Sequence, residues 1–332
     1  MTRSDRRPVT RSVGSFGFQP VVGLAAPDPE RAIRNETTVM GLPLVGHYLY
    51  GAFVTEDGYR AAPQRHIRDE VAVSLFYYEA DKPDAVLAHR GSANRAHRGI
   101  CEVGRDADGR YGWWHPEPDP RFVFVEDTTS ARWRDRGFVE AEGTLIGEVM
   151  QYAIPDAEEP LVYTSRVYRC PEAVVDGRPA RGYFFHDEVY LRQGHSWVAS
   201  RYLHGLESAW TAFVTEFEDG AVHAGHLIWS NENFRLALIQ RTDGPPVLQT
   251  AIPGEVELDD QGYYAHARHD LGDDGVWVWR PIHPDGGRMP PSPFEDGPRW
   301  REGLVTLEDE KRAVVVNNAW SESYPKFFDP TS

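Results

Sequence analysis

Apolar and polar positions alternate along most of this chain in short runs, and turn residues interrupt the runs about every 8–12 positions. The period is that of strands. LPLVGHYLYGAFVTEDG (Leu42 to Gly58) predicts a strand that ends in a Glu-Asp-Gly turn, and VAVSLFYYEA (Val71 to Ala80) one dense enough to be buried on both faces. AVLAHRGS follows, then a hairpin around Asp106 to Gly109, then RFVFVED, ARWRDRGFVEAEG and GEVMQYAIP. LVYTSRVYRC runs up to Pro171, and a turn at Asp176 to Pro179 leads into RGYFFHDEVYLR.

The second half keeps the rhythm. Ser208 to Glu218 and Ala221 to Ser230 predict a hairpin around Asp219-Gly220, the strongest kind of local hairpin signal. NFRLALIQR, PVLQTAI, EVELDDQGYYAHARHDL and GVWVWRPIHP follow. A Pro/Gly-rich loop spans Asp285 to Pro298, and a last hairpin turns at Glu308 to Lys311. Only Pro29 to Arg34 and Arg201 to Glu207 suit helices. Residues 1–30, broken by Pro20, Pro27 and Pro29, read as an extended or disordered leader. Two β-domains are expected, 31–193 and 194–332, with the boundary near Gln193-Gly194 and no repeat between them.

Composition agrees. The 332 residues suit two domains, and 30 glycines with 25 prolines suit a turn-rich all-β chain. A formal net charge of −16 argues against a nucleic-acid partner or an anionic membrane surface. No apolar run is long enough to span a membrane and no secretory signal is present. The two cysteines, Cys101 and Cys170, read as reduced thiols, and the location expected is cytoplasmic.

The candidate chemistry lies in Gly182 to Trp229, which holds five histidines, three tryptophans and many carboxylates. Along GYFFHDEVYLR, one face carries Tyr183, Phe185, Asp187, Val189 and Leu191, and the other Phe184, His186, Glu188, Tyr190 and Arg192. A carboxyl among apolar neighbours holds its proton toward neutrality, as a general acid must. Asp187 is therefore either that acid or an ionised hydrogen-bond acceptor. His195, in Gly194-His195-Ser196-Trp197, either positions water or Asp187, or caps a turn; Trp197 either offers a π face to a cation or packs between domains.

His223 and His226 are three residues apart, as are His266 and His269, so a strand sends each pair to opposite faces. That disfavours a metal site, and neither metal nor cofactor is expected; a mixed set of His186, His195, His204 or His226 with Glu207 or Asp187 is the alternative. His226 stands among Val222, Ala224 and Ile228 as a lone polar group on an apolar face. No Gly-x-Ser-x-Gly elbow or GxGxxG fingerprint is present. Trp277 and Trp279 share a face that suits a ligand cavity or a core.

Three segments carry a family resemblance: LVYTSRVYRCPEAVVDGRPARGYFFHDE, GHSW (Gly194 to Trp197, followed by Val198 where a Gly is usual), and AWSESY (Ala319 to Tyr324). In their order they resemble the two-domain lipocalin-like superfamily of carotenoid 1,2-hydratases, AttH-like proteins and Diels-Alderase-type pericyclases. The resemblance implies an all-β fold of two lipocalin-like (calycin-type) antiparallel barrels or sandwiches, side by side, with an apolar pocket in or between them. It also implies action without organic cofactor on a hydrophobic isoprenoid or polyketide small molecule. By position, Asp187, His195 and Trp197 carry over.

The expectation is an enzyme, a hydratase-type lyase or an isomerase or cyclase, that starts hydration, dehydration or cyclisation with acid, or folds a polyene for pericyclic closure. Asp187 is the acid, His195 or His226 its partner, and Trp197, Trp210, Trp229, Tyr190 and Phe185 bind substrate. A non-catalytic carrier of a hydrophobic molecule is the alternative. A carbohydrate-active sandwich would instead need two carboxylates about 5–10 Å apart along an open cleft.

Overall fold

The structure, a computed structural model, describes residues 19–33, 38–67, 71–79, 101–192, 209–230, 234–284, 286–289 and 297–324; His66 and 71–79 are described by backbone alone. The first sheet opens with β1 (Val21–Ala25), β2 (Thr38–Val39), β3 (Leu42–Thr55), β4 (Tyr59–Ile67) and β5 (Val71–Glu79). It continues with β6 (Glu102–Arg105), β7 (Tyr111–Trp114), β8 (Phe122–Glu126) and β9 (Ser130–Asp135). It closes with β10 (Val139–Leu145), β11 (Val149–Ile154), β12 (Leu161–Val175) and β13 (Arg178–Leu191). One short helix, α1 (Pro29–Ile33), precedes β2.

The second sheet comprises β14 (Ala209–Phe217), β15 (Val222–Trp229), β16 (Leu236–Arg241), β17 (Val247–Thr250) and β18 (Gly254–Leu258). β19 (Tyr264–Asp270), β20 (Val276–Pro281), β21 (Arg299–Leu307) and β22 (Val314–Ser323) complete it. The strand orders are β5-β4-β3-β13-β12-β10-β9-β8-β7-β6, with β2 on β3 and β1-β11 on β12, and β17-β16-β15-β14-β22-β21-β20-β19-β18. Both sheets are antiparallel and curled into half-barrels, an all-β fold consistent with two lipocalin-like domains.

Turn chemistry sets the hairpins. Asp176 and Gly177 both take positive φ, 52° and 73°, as a tight I′ turn demands, and join β12 to β13. Three runs depart from expectation. LVYTSRVYRC does not stop at Pro171: β12 continues to Val175 through a register shift between Cys170 and Ala173, where a residue without N–H costs no ladder bond. ARWRDRGFVEAEG divides into β9 and β10 at Gly137, which has φ 80°. EVELDDQGYYAHARHDL divides into β18 and β19 where Asp259 Oδ1 accepts the N–H groups of Gln261 and Tyr263.

Within the leader, β1 pairs with β11. β5 stands at one end of the sheet order. The expected boundary and the segment Arg201 to Glu207 lie outside the described residues; β13 ends at Leu191 and β14 begins at Ala209. Cys101 and Cys170 are free thiols. No helix among the described residues is long and apolar enough to cross a membrane.

Among the described residues four apolar clusters hold this together, the smallest around Val39, Leu42, Ala153, Val162 and Tyr190. One, with Trp113, Phe124, Trp133 and Phe184, fills the first barrel. Another, with Phe213, Trp277 and Trp279, fills the second, so those two tryptophans are core. The third lies between the sheets: Tyr183, Phe185, Val189 and Leu191 of β13 meet Trp210, Ala212 and Val214 of β14 and Ala224 and Ile228 of β15. β13 and β14 are thus covered on both faces, and each large apolar side chain so buried contributes about 1.5–3 kcal/mol. Polar ties fix the joint: Arg60 donates to the carbonyl and side-chain oxygens of Asn317, and Arg169 and the Tyr183 hydroxyl both reach Glu216.

Candidate active site

Asp187 points into the layer between the sheets and is wholly buried. Its register partners are Ser165 on β12 and Tyr48 on β3. Residues two further along those strands lie diagonally on the same face, which brings Tyr163 and Tyr50 onto the carboxylate. The Tyr50 hydroxyl donates to Oδ2 at 2.6 Å, and the Tyr163 hydroxyl donates to the same oxygen. Oδ1 accepts no well-aligned hydrogen bond. Burial pushes the Asp187 pKa up to about 6, against the opposing pull of the Ser165, Tyr163 and Tyr50 hydroxyls and of His186. Burial, then the Asp187 charge, raises both tyrosines, so they remain neutral donors.

Among the described residues, the second sheet approaches this carboxyl through the Ser165 hydroxyl beside it. His226 of β15 brings Nε2 to 2.8 Å from the Ser165 hydroxyl. Desolvation lowers the His226 pKa to about 3, so the ring is neutral. Its Nδ1 has no partner. A buried N–H without an acceptor costs more than an idle lone pair, which assigns the proton to Nε2. Ser165 then accepts from His226 and is free to turn its own proton toward Asp187.

In front of Asp187 lies a cavity of about 220 Å³. The first domain supplies Tyr48, Leu49, Tyr50, Gln64, Arg65, Tyr163 and Asp187; the second supplies Trp210, Trp300, Trp320 and Glu322. Glu322 is a second carboxyl: Trp300 Nε1 donates to its Oε1 at 2.8 Å and Trp320 Nε1 at 3.2 Å. Burial raises its pKa, with the Trp320, Trp300 and Tyr324 hydrogen bonds opposing. The charge of Arg65 is matched by Asp135, whose Oδ2 accepts from Nε at 3.0 Å.

Of the residues singled out in the sequence, Asp187, His226, Trp210 and Phe185 come together here. Trp210 is a wall of the cavity and lies 5.4 Å from the His226 ring, while Phe185 stacks on Tyr50 at 4.8 Å and backs it. Tyr190 and Trp229 face elsewhere. The Tyr190 hydroxyl donates to Glu188 inside the first barrel, and Trp229 Nε1 donates to the Gly254 carbonyl beside the core of the second. His195 and Trp197, with His204 and Glu207, lie outside the described residues. The sequence reading did not single out Tyr50, Tyr163, Ser165, Trp300, Trp320 or Glu322.

The other face of β13 carries a separate buried network. His186 Nδ1 is 3.0 Å from Glu126 and Nε2 is 3.1 Å from His47 Nδ1. Glu188 accepts from Thr164 and Tyr190, at 2.5 and 2.9 Å. Burial opposes ionisation of Glu126 and Glu188, but Arg166 and then His186 hold both pKa values below the ordinary range. Among the described residues, His47, His186 and Glu188 are the set whose ligand atoms gather within 4.8 Å. Arg166 already stands 3.2 Å from Glu188 Oε1, a fixed positive charge that opposes a second cation, and the two imidazoles satisfy each other.

No family model matches the chain, and no curated protein matches it. Solved structures to which it is similar include a protein of Nitrosomonas europaea described as an AttH, at 13% identity and a TM-score of 0.46 over 91% of this chain and 99% of that one. CghA is similar at 12% identity and TM-score 0.47, over 91% and 98%, and CghA with Sch210972 at 11% and 0.46, over 92% and 99%.

Proposed function

We propose that the protein is a cofactor-independent enzyme that starts hydration, dehydration or cyclisation of a hydrophobic isoprenoid or polyketide substrate by protonating it from Asp187. One observation carries the reading: a buried carboxyl, clamped through Oδ2 by Tyr50 and Tyr163 and with only the Ser165 hydroxyl beside it otherwise, forms part of an aromatic cavity. The clamp fixes the carboxyl and leaves Oδ1 to carry the transferable proton. Protonation of an alkene from Oδ1 leaves a carbocation and the Asp187 carboxylate; attack of a second double bond closes a ring and passes the charge on, and the last cation loses a proton, directly or from a captured water, which restores the acid. A placed acid supplies about 10²–10⁴-fold in rate. The rest comes from holding the substrate folded and dry. At about 220 Å³ the cavity is smaller than the ~300–1,000 Å³ of drug-sized sites, so it suits the reacting end of a long substrate.

The test is incubation of the protein with a panel of acyclic isoprenoids and polyketide-derived polyenes in D₂O, read by mass spectrometry. Deuterium on carbon in the product, lost in Asp187→Asn, supports the acid. Cyclised product without deuterium and indifferent to Asp187→Asn makes the protein a pericyclase. Saturable binding with no product makes it a carrier.

A further inference from the structure

Glu322 and its two tryptophans are not needed to deliver a proton, yet they form the wall of the cavity contributed by the second domain. Trp320 and Glu322 are alternate residues of β22, so they share a face, and Trp300 is the register partner of Glu322 on β21. The Trp300 and Trp320 rings lie 6.2 Å apart at 35°. Both spend their single N–H on Glu322 Oε1, at 2.8 and 3.2 Å. What remains to meet a ligand is ring carbon surface, with Trp210 and Tyr50, 6.2 Å apart, adding to it. Burial raises the Glu322 pKa, the two indole N–H groups on one oxygen favour the carboxylate form against it, and a cation seated beside them favours that form further. The indoles also fix it in place, which a general acid does not require.

Aromatic surface gathered around a carboxylate is the arrangement that binds an organic cation: ring faces attract positive charge, and the carboxylate completes the field in a place with little water. Neutral hydrophobic ligands gain nothing from Glu322 and lose the cost of desolvating it. Among the described residues the cation that reaches the cavity wall, Arg65, is already bonded to Asp135 and offers an anionic ligand no free charge. The net charge of −16 adds a long-range bias of the same sign.

We propose that Glu322, Trp300 and Trp320 form a subsite for an organic cation, a positively charged carbon or nitrogen centre on an apolar chain. The proposal deepens the acid-initiated reading and rests on it for the source of that charge: protonation at Asp187 creates the positive centre, and the facing wall holds it. A substrate already bearing an ammonium group would use the same contacts.

The experiment needs no natural substrate. The affinity of the full chain for N,N-dimethylhexylamine, protonated at pH 7.5, is compared by calorimetry and tryptophan fluorescence with that for its neutral isostere 2-methyloctan-2-ol. The expected result is about 10-fold or stronger preference for the amine, since the cation–π contact and the carboxylate both act on its charge and neither acts on the alcohol. In Glu322→Gln, which keeps the volume and an acceptor for the indoles, the preference falls toward unity while the alcohol binds as before. Equal affinities in wild type, no binding of either compound, or a preference that Glu322→Gln leaves intact overturns the subsite. Failure here leaves deuterium transfer from Asp187 standing, and absence of deuterium transfer with the amine preference intact leaves an ammonium-binding site. A polyene that gains deuterium identifies the carbon source of the charge, and an amine recovered with the protein from cells identifies the nitrogen source.

Discussion

Tyr50 and Asp187 meet hydroxyl to carboxylate at 2.6 Å although they are not register partners; Asp187 stands opposite Tyr48, and Phe185 opposite Tyr50. The diagonal is closed because Phe185 stacks under the Tyr50 ring, with 6° between the planes, and aims its hydroxyl along the strand. The hydroxyl is thereby held on the carboxylate. It stabilises the carboxylate more than the acid, and so sets how readily Asp187 gives up its proton.

Turnover is expected to be full below about pH 6 and to fall tenfold per unit above it, because the active form of Asp187 is the protonated one. Tyr50→Phe removes a donor that favours the charged form, so the falling limb should move upward, by about one unit. The pH dependence of kcat/KM in the two proteins checks both statements; a limb that does not move excludes Asp187 as its origin.

Asp187 also costs stability. Its pKa is raised in the folded protein, from an ordinary value near 3.8 to about 6. Below pH 3.8 the folded and unfolded forms are both protonated and the penalty is absent; it accumulates as pH rises through that window and is complete above 6. At about 1.36 kcal/mol per unit it reaches about 3 kcal/mol. Asp187→Asn is expected to unfold at higher denaturant than wild type at pH 8, with the gap closing toward pH 4, while turnover is lost.

His226 behaves in the opposite sense. Its folded pKa of about 3 lies below the ordinary 6.5, so the unfolded chain takes up a proton first as pH falls. Stability is complete above 6.5 and is lost between 6.5 and 3. By pH 4.5 the loss is about 3 kcal/mol. In His226→Gln this acid-side slope should be absent, which denaturant titrations at pH 7 and 4.5 would measure.

At Gly182, the register partner of Phe53, β13 lies against β3 with no room for a side chain. A Cβ there would lie 2.0 Å from the Ala52 carbonyl oxygen, on backbone that has no freedom to swing away. Gly182→Ala should cost on the order of 2–4 kcal/mol. Because β3 carries Tyr50, any folded fraction should also show the raised pH limb expected of Tyr50→Phe.

Parity made much of this legible. Alternation alone put Asp187 with Tyr183, Phe185, Val189 and Leu191, and His226 with Val222, Ala224 and Ile228, and those are the faces that meet between the sheets. The same parity spoke against two of the aromatic choices. Tyr190 is three residues from Asp187 and Trp229 three from His226, so each had to face the other way. What alternation cannot supply is which strands become neighbours. Tyr50 and Ser165 reach Asp187 and His226 only through pairing across long separations. The pairing of Trp320 with Glu322 was written in AWSESY, but nothing local says that their face closes a cavity.

β13 is occupied on both sides, by an acid facing an aromatic cavity on one and by an imidazole and a carboxylate locked into a charged network on the other. Such a strand works as a reading frame. A slip of one residue against β3 and β12 would not blur the site but exchange its contents, sending His186 and Glu188 into the cavity and Asp187 into the barrel. The I′ turn at Asp176-Gly177 sits at the start of that frame, so two residues distant from any chemistry decide which side chains perform it.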